Sequence, residues 1–424
     1  MVESPIDNIH DKYPAQIIRA EQDIDTFNFY AANGVILRLQ VIRDSVLRFR
    51  YAVEERFEED FSYAIREEPN RGHGRLDFSD DGSHYVVETD TLKCKIDKLN
   101  SKVAIYDVDD NIICEDEKGF HWEENHTYGG NIVKMSKTVQ ETESFFGLGD
   151  KPTHLNLKGH RFENWGTDQY GFQKHTSPLY KSIPFYVGLH QDKSYGIFFD
   201  NTFKSFFDFA KERRTVTSFW AQGGEMNYYF FYGPEMQRVV ESYTDLTGKP
   251  KLPPLWALGY HQCKWSYYPE DTVRDIVKKF KEKDIPLEAI YLDIDYMEGF
   301  RCFTVNEEYF PDLKKMVGDF ASEGVKTVVI IDPGIKVDKD YFVYQEGVEN
   351  DYFCKRADGP YMKGKVWPGD CYFPDFTDPE VRTWWSGLFK ELISDYGIAG
   401  VWNDMNEPAV MEVESKTFPL DVRH

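Results

Sequence analysis

The sequence is short of positive charge. Its 424 residues include 50 Lys and Arg against 73 Asp and Glu, which gives a formal net charge of −23. Nucleic acids are bound by clustered cations that displace counterions, and anionic membrane surfaces attract basic segments. The charge balance therefore disfavours both kinds of partner, and we expect no nucleic acid and no membrane.

Long apolar runs and closely spaced cysteines are also missing. The longest apolar runs, such as Val328–Ile331, are far shorter than the ~20 residues that a membrane helix needs. The opening residues, MVESPIDNIHDKYPAQ, show no basic stretch followed by an apolar one, as a secretory signal would. The six cysteines have no CxxC spacing, which is typical of free buried thiols in a reducing compartment. We therefore expect a cytoplasmic protein.

Apolar and aromatic residues are plentiful, and in the first half they alternate with polar ones. Hydrophobic residues make up 41% and aromatic residues 16%, enough for a large core, and the length favours two domains. Alternation is clear at Val35, Leu37, Leu39 and Val41, and again at Leu92, Cys94 and Ile96. Period-two patterning with frequent turn residues predicts antiparallel sheets in a β-sandwich.

The pattern changes at the proline cluster Lys249–Pro254, so we place domains at residues 1–248 and 249–424. Beyond it, short apolar runs alternate with amphipathic ones. We predict strands at 256–261, 289–294, 327–331 and 398–402. Helical spacing is seen at Val273, Ile276, Val277 and Phe280, at Leu313, Met316, Val317 and Phe320, and at Val381, Trp384, Trp385, Leu388 and Leu392. Strand–helix alternation indicates a parallel sheet, either doubly wound or a barrel, and no Gly-rich phosphate loop follows the first strand.

Carboxylates follow three of these predicted strands. The second strand runs into Asp293 and Asp295, the third into Asp332, and the fourth into Asp404 and Glu407. The carboxyl ends of parallel strands meet at one rim, where barrel enzymes hold their active sites. Three successive strands with this ending indicate a functional site rather than isolated turn residues.

Two chemistries suit clustered carboxylates. A metal site could use Asp293, Asp295 and Asp332, but HxH, HExxH and EF-hand spacings are absent, so we expect no metal and no cofactor. Carboxylates mixed with aromatic residues suit a sugar better, and glycosidases use paired carboxylates. The sequence has no GxSxG elbow of a serine hydrolase.

The segment Trp402–Pro408, WNDMNEP, resembles the nucleophile signature of glycoside hydrolase family 31, the α-glucosidase and α-xylosidase family. Further similarity lies in LGYHQ (258–262), YLDIDYM (291–297), VIIDPGI (329–335), VWPG (366–369), FGLGD (146–150) and LYKSIPF (179–185), in the order of the family. The resemblance implies a β-sandwich followed by a (β/α)8 TIM barrel.

The resemblance also implies roles for individual residues. Asp404 would be the nucleophile of a retaining double displacement. The residues implied to bind substrate are Asp168, Asp295, Ile330, Asp332, Trp367, Trp402 and Met405. Asp293 would orient its neighbours, and Glu407 would support the nucleophile.

The implied activity is that of a retaining exo-α-glycosidase, with an α-glucoside disaccharide or oligosaccharide as substrate and α-glucosidase as the first choice. The α-xylosidase, α-galactosidase, sulfoquinovosidase and α-glucan lyase activities of the same scaffold stay open, as does a non-catalytic carbohydrate-binding relative. The metal-dependent barrel enzyme is a third class.

One part of the family pattern is absent. The family's general acid/base follows the nucleophile at a distance, and this chain reaches His424 before it. From residue 255 onward the chain is also shorter than the ~250 residues of a typical eight-stranded barrel. We therefore expect about the first half of the barrel here and a C-terminal remainder of the same enzyme as its partner. A homo-oligomer stays open.

Overall fold

Alternating burial turns the first half of the chain into strands that share one core. In β2 (Thr26–Ala31), Phe27 and Phe29 are buried, whereas the alternating residues Thr26, Asn28 and Tyr30 are half-exposed. The computed structural model describes residues 8–66 and 71–423. The domain limits predicted at residues 1 and 424 lie outside these ranges. Residues 1–7, the start of the segment searched for a secretory signal, also lie outside them.

The strands of this half, within the described residues, are β1 Ile17–Asp23, β2 Thr26–Ala31, β3 Ile36–Arg43, β4 Val46–Ala52, β5 Leu76–Asp80, β6 His84–Thr89, β7 Leu92–Asp97, β8 Val103–Asp107, β9 Ile112–Glu124, β10 Asn131–Thr138, β11 Ser144–Gly149, β12 Arg161–Asn164, β13 Ser182–His190, β14 Lys193–Phe199, β15 Ser205–Phe209, β16 Val216–Ala221 and β17 Met226–Gly233. A helix, α1 (Met236–Thr247), follows them.

These strands form two antiparallel sheets. One has the order β1-β2-β3-β4-β17-β14-β13-β11 and the other β12-β15-β16-β10-β9-β8-β7-β6-β5. Their inner faces contribute to a single apolar cluster that includes Phe49, Phe145, Phe207 and Tyr228. The predicted β-sandwich is therefore confirmed.

The second half contains shorter elements. In chain order they are β18 His261–Gln262, α2 Glu270–Glu282, β19 Ala289–Leu292, α3 Leu313–Ser322, β20 Lys326–Ile331, β21 Ile335–Lys336, α4 Phe342–Glu349, β22 Lys355–Arg356, β23 Lys363–Val366, β24 Gly369–Tyr372, α5 Pro379–Leu388, β25 Gly400–Asn403 and β26 Val422–Arg423. Single 3₁₀ turns occur at Leu255–Leu258, Ile294–Tyr296 and Glu298–Phe300, and a π-helical turn at Glu391–Asp395.

Four of these strands form a parallel sheet in the order β18-β19-β20-β25. The helices α2, α3 and α5 lie between consecutive strands in the sequence, which is the strand–helix alternation of a barrel. The predicted apolar stripe of α3 is buried, with Leu313, Met316, Val317 and Phe320 all inside. The chain thus contains a portion of a (β/α)8 TIM barrel.

The first predicted strand of this sheet was wrong in its extent. The segment predicted as strand 256–261 instead begins with the 3₁₀ turn Leu255–Leu258, and β18 keeps two residues. Pro254, with φ −63°, precedes the turn and already has a helical φ, and Gly259 ends the turn. The apolar Leu255 and Leu258 are exposed, so the short apolar run was a poor guide to a buried strand here.

By its internal contacts the chain divides into two units. The first consists of Met1–Gly166 and Gly171–Pro250, and the second of Thr167–Tyr170 and Lys251–His424. The division after Pro250 lies two residues beyond the limit that the proline cluster predicted. Among the described residues, no helix is both long and apolar enough to span a bilayer.

Candidate active site

The candidate site is built on the register of two neighbouring parallel strands. The pairing of β20 with β25 matches Ile330 to Trp402 and Ile331 to Asn403. Asp332 and Asp404 therefore occupy the next position of each strand, and the Asp404 N–H donates to the Ile331 carbonyl at 3.2 Å. Side chains two positions apart on a strand share a face, so Asp332 follows Ile330 and Asp404 follows Trp402 on the same face of the sheet.

Asp293 and Asp295 belong to the next strand end. The pairing of β19 with β20 matches Leu292 to Val329, so Asp293 is level with Ile330. Asp293 is 7% exposed and its carboxylate accepts from the Ile294 N–H at 2.7 Å, which caps the 3₁₀ turn that carries the half-buried Asp295. The local role of Asp293 is thus to fix the turn that presents Asp295.

Asp332 is the most buried carboxylate of the group. It is 4% exposed, and its Oδ1 has no hydrogen-bond partner among the residues that the structure describes. Burial raises the pKa of the Asp332 carboxyl to about 7, and the charges of Asp404, Asp293 and Glu407 add to the rise. Near neutral pH, a large share of Asp332 is therefore a neutral acid that can donate a hydrogen bond.

Burial is also the main cause of a raised pKa at Asp404. The Met405 backbone N–H lowers this pKa by hydrogen bonding, and the charge of Asp168 raises it. Burial likewise raises the pKa of Glu407; its own backbone N–H opposes this, and Asp168 and Asp404 add to the rise. The segment Thr167–Tyr170 belongs to the second unit, so Asp168 is part of the same carboxylate group.

Burial raises the pKa of Asp293 as well, against the hydrogen bond from Ile294 and with the charges of Asp295 and Asp404. The structure thus brings together the predicted residues Asp168, Asp293, Asp332, Asp404 and Glu407, and joins Asp295 to them through Asp293. Mutual repulsion among carboxylates with little solvent is a pattern typical of functional sites.

Aromatic and apolar side chains line the same face. Trp402 is half-buried and lies edge-on to Tyr291, with ring centroids 6.3 Å apart, and His261 is 5.7 Å from Tyr291. Ile330 is buried, and its carbonyl accepts from the Tyr296 hydroxyl at 3.1 Å. Ile330, Trp402 and Tyr291 thus form an apolar surface on the strands, just before the positions of the carboxylates.

Two predicted wall residues lie in other surroundings. Met405 is buried in a satellite cluster with Val366 and Cys371, and has a positive φ of 60°. Trp367 lies in the turn between β23 and β24, half-exposed, with its ring 5.4 Å from that of Trp265. Their roles as pocket walls stay predictions.

The sequence argument missed the support beneath Asp332. The Cys302 thiol donates to the Asp332 carbonyl, and the buried Tyr341 hydroxyl donates to the Cys302 carbonyl at 2.7 Å. Both residues lie outside the four predicted strands and carry no motif. Tyr291, in contrast, could have been found, because it is two residues before Asp293 on the same strand.

The carboxylate group does not form a metal centre among the described residues. Within residues 8–66 and 71–423, no group of three or more His, Cys, Asp or Glu residues is arranged to hold a metal ion. All six cysteines are free, and Cys263 alone among them is exposed.

The parallel strands and their carboxylate edge are those of a barrel-type glycoside hydrolase domain. Residues 250–424 match the model of the glycosyl hydrolases family 31 TIM-barrel domain, and residues 36–208 match that of the glycosyl hydrolase 31 N-terminal galactose mutarotase-like domain. The chain belongs to glycosyl hydrolase family 31.

Known relatives extend this similarity. The chain is 40% identical over 403 residues to alpha-glucosidase 2 of Bacillus thermoamyloliquefaciens, covering 94% of this chain and 49% of that protein. It is 36% identical over 279 residues to an alpha-glucosidase of Saccharolobus solfataricus, covering 66% and 40%. The chain thus spans about half the length of the curated relatives it matches.

Solved structures of family 31 enzymes are also similar to nearly all of this chain, which covers about half of each of them. A family 31 dextranase of Flavobacterium johnsoniae, solved with isomaltotriose, superposes with a TM-score of 0.90 at 32% identity, over 97% of this chain and 50% of that one. A family 31 alpha-xylosidase from a soil metagenome, solved with xylose, has a TM-score of 0.81 at 20% identity, over 93% and 58%, and shows the shared fold alone.

Proposed function

We propose that the protein is a retaining exo-α-glycosidase that releases terminal α-linked glucose, with Asp404 as its nucleophile. The observation that carries the proposal is the register that places Asp332 and Asp404 at the next positions of neighbouring strands, on the face of Trp402. The relatives named alpha-glucosidase favour glucose as the sugar.

The reaction would proceed by double displacement. A carboxylate oxygen of Asp404 attacks the anomeric carbon, the bond from that carbon to the leaving oxygen breaks, and the leaving oxygen takes a proton from a general acid. Water then attacks the same carbon, gives its proton to the conjugate base, and the bond to Asp404 breaks. The general acid/base is assigned to no residue of this chain.

The other carboxylates would position the sugar. Asp332, of which a large share is protonated near neutral pH, can donate a hydrogen bond to a ring hydroxyl, whereas the carboxylate oxygens of Asp295 and Asp168 can accept from one. The apolar side of a pyranose would contact Trp402, with Trp367, Ile330 and Met405 as the remaining predicted wall. Asp293 and Glu407 would hold Asp295 and Asp404 in place.

A second candidate is a glucan-cleaving activity of the dextranase kind. It is favoured by the structure with isomaltotriose, which at 32% identity is more similar than the alpha-xylosidase structure. The α-xylosidase, α-galactosidase, sulfoquinovosidase and α-glucan lyase alternatives share the same nucleophile. Product analysis separates them, because glucose, isomaltooligosaccharides, xylose and an unsaturated anhydro-sugar differ in mass or NMR spectrum.

Covalent trapping tests the role of Asp404. We expect 5-fluoro-α-glucosyl fluoride to label the peptide that contains Asp404, as seen by mass spectrometry, and Asp404→Asn to lower turnover by roughly 10⁴-fold or more and to abolish the label. The matched control is Asp358→Asn, which changes an exposed carboxylate of the same unit. In this variant the peptide that contains Asp404 should be labelled as in the parent. Labelling at another carboxylate, or near-normal turnover of Asp404→Asn, would refute the proposal.

A further inference from the structure

A second concave site lies in the first unit, on the outer face of β4 and β17. It is a cavity of about 120 Å³ between these strands and the loops 53–63 and 200–204. Its lining residues are Arg48, Arg50, Glu58, Glu59, Phe61, Ser62, Tyr63, Asp200, Asn201, Thr202, Phe203, Gly224, Glu225 and Asn227. None of them belongs to the carboxylate group of the second unit.

The floor of this cavity is polar and already internally paired. Arg48 donates to Asp60 at 2.7 Å and to Asn227 at 3.0 Å, and Arg50 pairs with Glu225 at 2.5 Å. Because carboxylates outnumber the two guanidinium groups, and both guanidinium groups are engaged, an anionic ligand would be repelled. A neutral ligand suits this floor.

Hydrogen-bond acceptors remain at the edge of the floor. Burial is the main cause of a raised pKa at Glu58 and at Asp200, although Asp200 is half-buried and Glu58 is exposed. The Glu58 backbone N–H donates to the Glu225 carboxylate and the Glu58 carbonyl accepts from Arg50, both at 3.0 Å, so the backbone here is fixed while the Glu58 and Tyr63 side chains are exposed. Such acceptors favour a ligand that brings its own hydroxyl donors.

The rim is aromatic and exposed. Phe61, Tyr63 and Phe203 are 62%, 60% and 52% exposed, and the Phe61 and Tyr63 rings meet edge to face with centroids 4.7 Å apart. Three exposed rings around one small polar cavity form an apolar surface that faces solvent.

Phe203 is held in place although its ring is exposed. Asn201 accepts from the Phe203 N–H at 2.8 Å and donates to the carbonyls of Gly223 and Glu225 at 2.9 and 3.1 Å. The ring lies directly on Gly223 and Gly224, where an added Cβ would come within 2.5 Å and 3.0 Å of it. A ring fixed in this way loses little freedom when a ligand stacks on it.

We propose that this cavity is a second, non-catalytic saccharide site that takes the terminal glucosyl unit of a neutral α-glucan. The apolar face of the sugar stacks on Phe203, and its hydroxyls donate to the Glu58 carboxylate and bond the Tyr63 hydroxyl. The cavity is smaller than the ~300 Å³ at which drug-sized ligand sites begin, so it would take no more than one sugar unit. The choice of α-glucan as ligand rests on the proposed function.

Affinity electrophoresis of the 424-residue chain in gels that contain dextran or soluble starch tests this site. We expect the parent to be retarded by at least one of the two glucans, and Phe203→Ala to raise the apparent dissociation constant about tenfold or more, since truncation of an anchoring aromatic removes much of the binding energy. Phe61→Ala, at a more exposed ring, should weaken retardation without loss of fold by circular dichroism. Tyr128→Ala, an exposed aromatic of the same unit outside the cavity, is the control and should behave as the parent.

The outcomes separate the two proposals. Equal retardation of the parent, Phe203→Ala and Phe61→Ala would overturn the second site, as would a parent that neither glucan retards. Retardation abolished by Asp332→Asn and unaffected by Phe203→Ala would assign binding to the carboxylate group and also overturn it. If the parent is retarded through Phe203 but traps no glucosyl group on Asp404, the second site stands and the proposed catalytic function fails.

Discussion

At the scale of single residues, four carboxyl groups of the candidate site have pKa values above those of isolated acids in water. Asp332 has a pKa of about 7, chiefly because it is buried and then because of Asp404, Asp293 and Glu407. A carboxyl with a raised folded-state pKa stabilises the fold most below its unfolded value, and this contribution is lost as pH rises toward 7. Asp332 therefore weakens the fold at neutral pH, which is expected of a residue retained for function.

Asp168→Asn should move the acidic limb of the pH profile. Because the charge of Asp168 raises the pKa of Asp404, its removal lowers that pKa, and Asp404 stays ionised at lower pH. We expect the acidic limb of kcat/KM to shift to lower pH, together with a fall in its maximum from loss of the proposed contact between Asp168 and the substrate. Steady-state rates from pH 3 to 8 measure both effects.

Asp340→Asn is the matched control for this experiment. Asp340 is an exposed carboxylate of the second unit and does not contribute to the raised pKa of Asp404. Its profile should coincide with that of the parent. A limb that moves to higher pH in Asp168→Asn, or that does not move, would contradict the electrostatic link.

The carboxylates of the candidate site could be predicted from the sequence, whereas the residues that hold the Asp332 backbone in place could not. Strand ends followed by Asp332 and Asp404 can be recognised from the sequence, because apolar runs and their first polar residue are local features. The thiol of Cys302 and the hydroxyl of Tyr341 reach Asp332 only through the folded chain. No local pattern marks such contacts.

At the scale of elements, long periodic segments were predicted and short ones were missed. The helix through Leu313 and Phe320 is confirmed because four buried positions repeat at helical spacing. Helix α4 and strands β21, β23 and β24 have eight residues or fewer, too few for a period to emerge. Helix α1 was also missed because α1 buries only Val239 and Leu246.

Helix α5 gives a test of local stability. Asp378 is its N-cap and accepts from the Glu380 N–H at 2.7 Å, and Pro379 occupies the first turn. We expect Asp378→Ala to lower the free energy of unfolding by about 1 kcal/mol, since an N–H at the helix start loses its acceptor. Asp378→Ser retains an acceptor and should lie close to the parent in urea unfolding. Equal losses in the two variants would show that the cap is not the stabilising feature.

At the scale of the whole molecule, each unit has apolar clusters of its own. The sandwich encloses the large cluster that includes Phe145 and Phe207, and the parallel sheet encloses another that includes Leu292 and Val329. Between them, residues 249–254 are all exposed and have neither helix nor strand. A junction of this kind is accessible to proteases.

Trypsin should therefore cleave first at this junction. Lys251 precedes Leu252 and is a good site, whereas Lys249 precedes Pro250 and resists cleavage. We expect early fragments 1–251 and 252–424 on a denaturing gel, identified by mass. Lys251→Gln should delay their appearance, and first cleavage inside either unit would contradict the exposed junction.

The affiliation of Thr167–Tyr170 has a consequence for how such proteins diversify. These four residues are flanked on both sides by the first unit, yet they belong with the second. A recombination event that exchanges the sandwich between two homologues would therefore also exchange the residue at position 168, whose charge here raises the pKa of Asp404. The pKa of Asp404 would fall wherever the incoming sandwich has an uncharged residue at position 168, with every barrel codon left untouched.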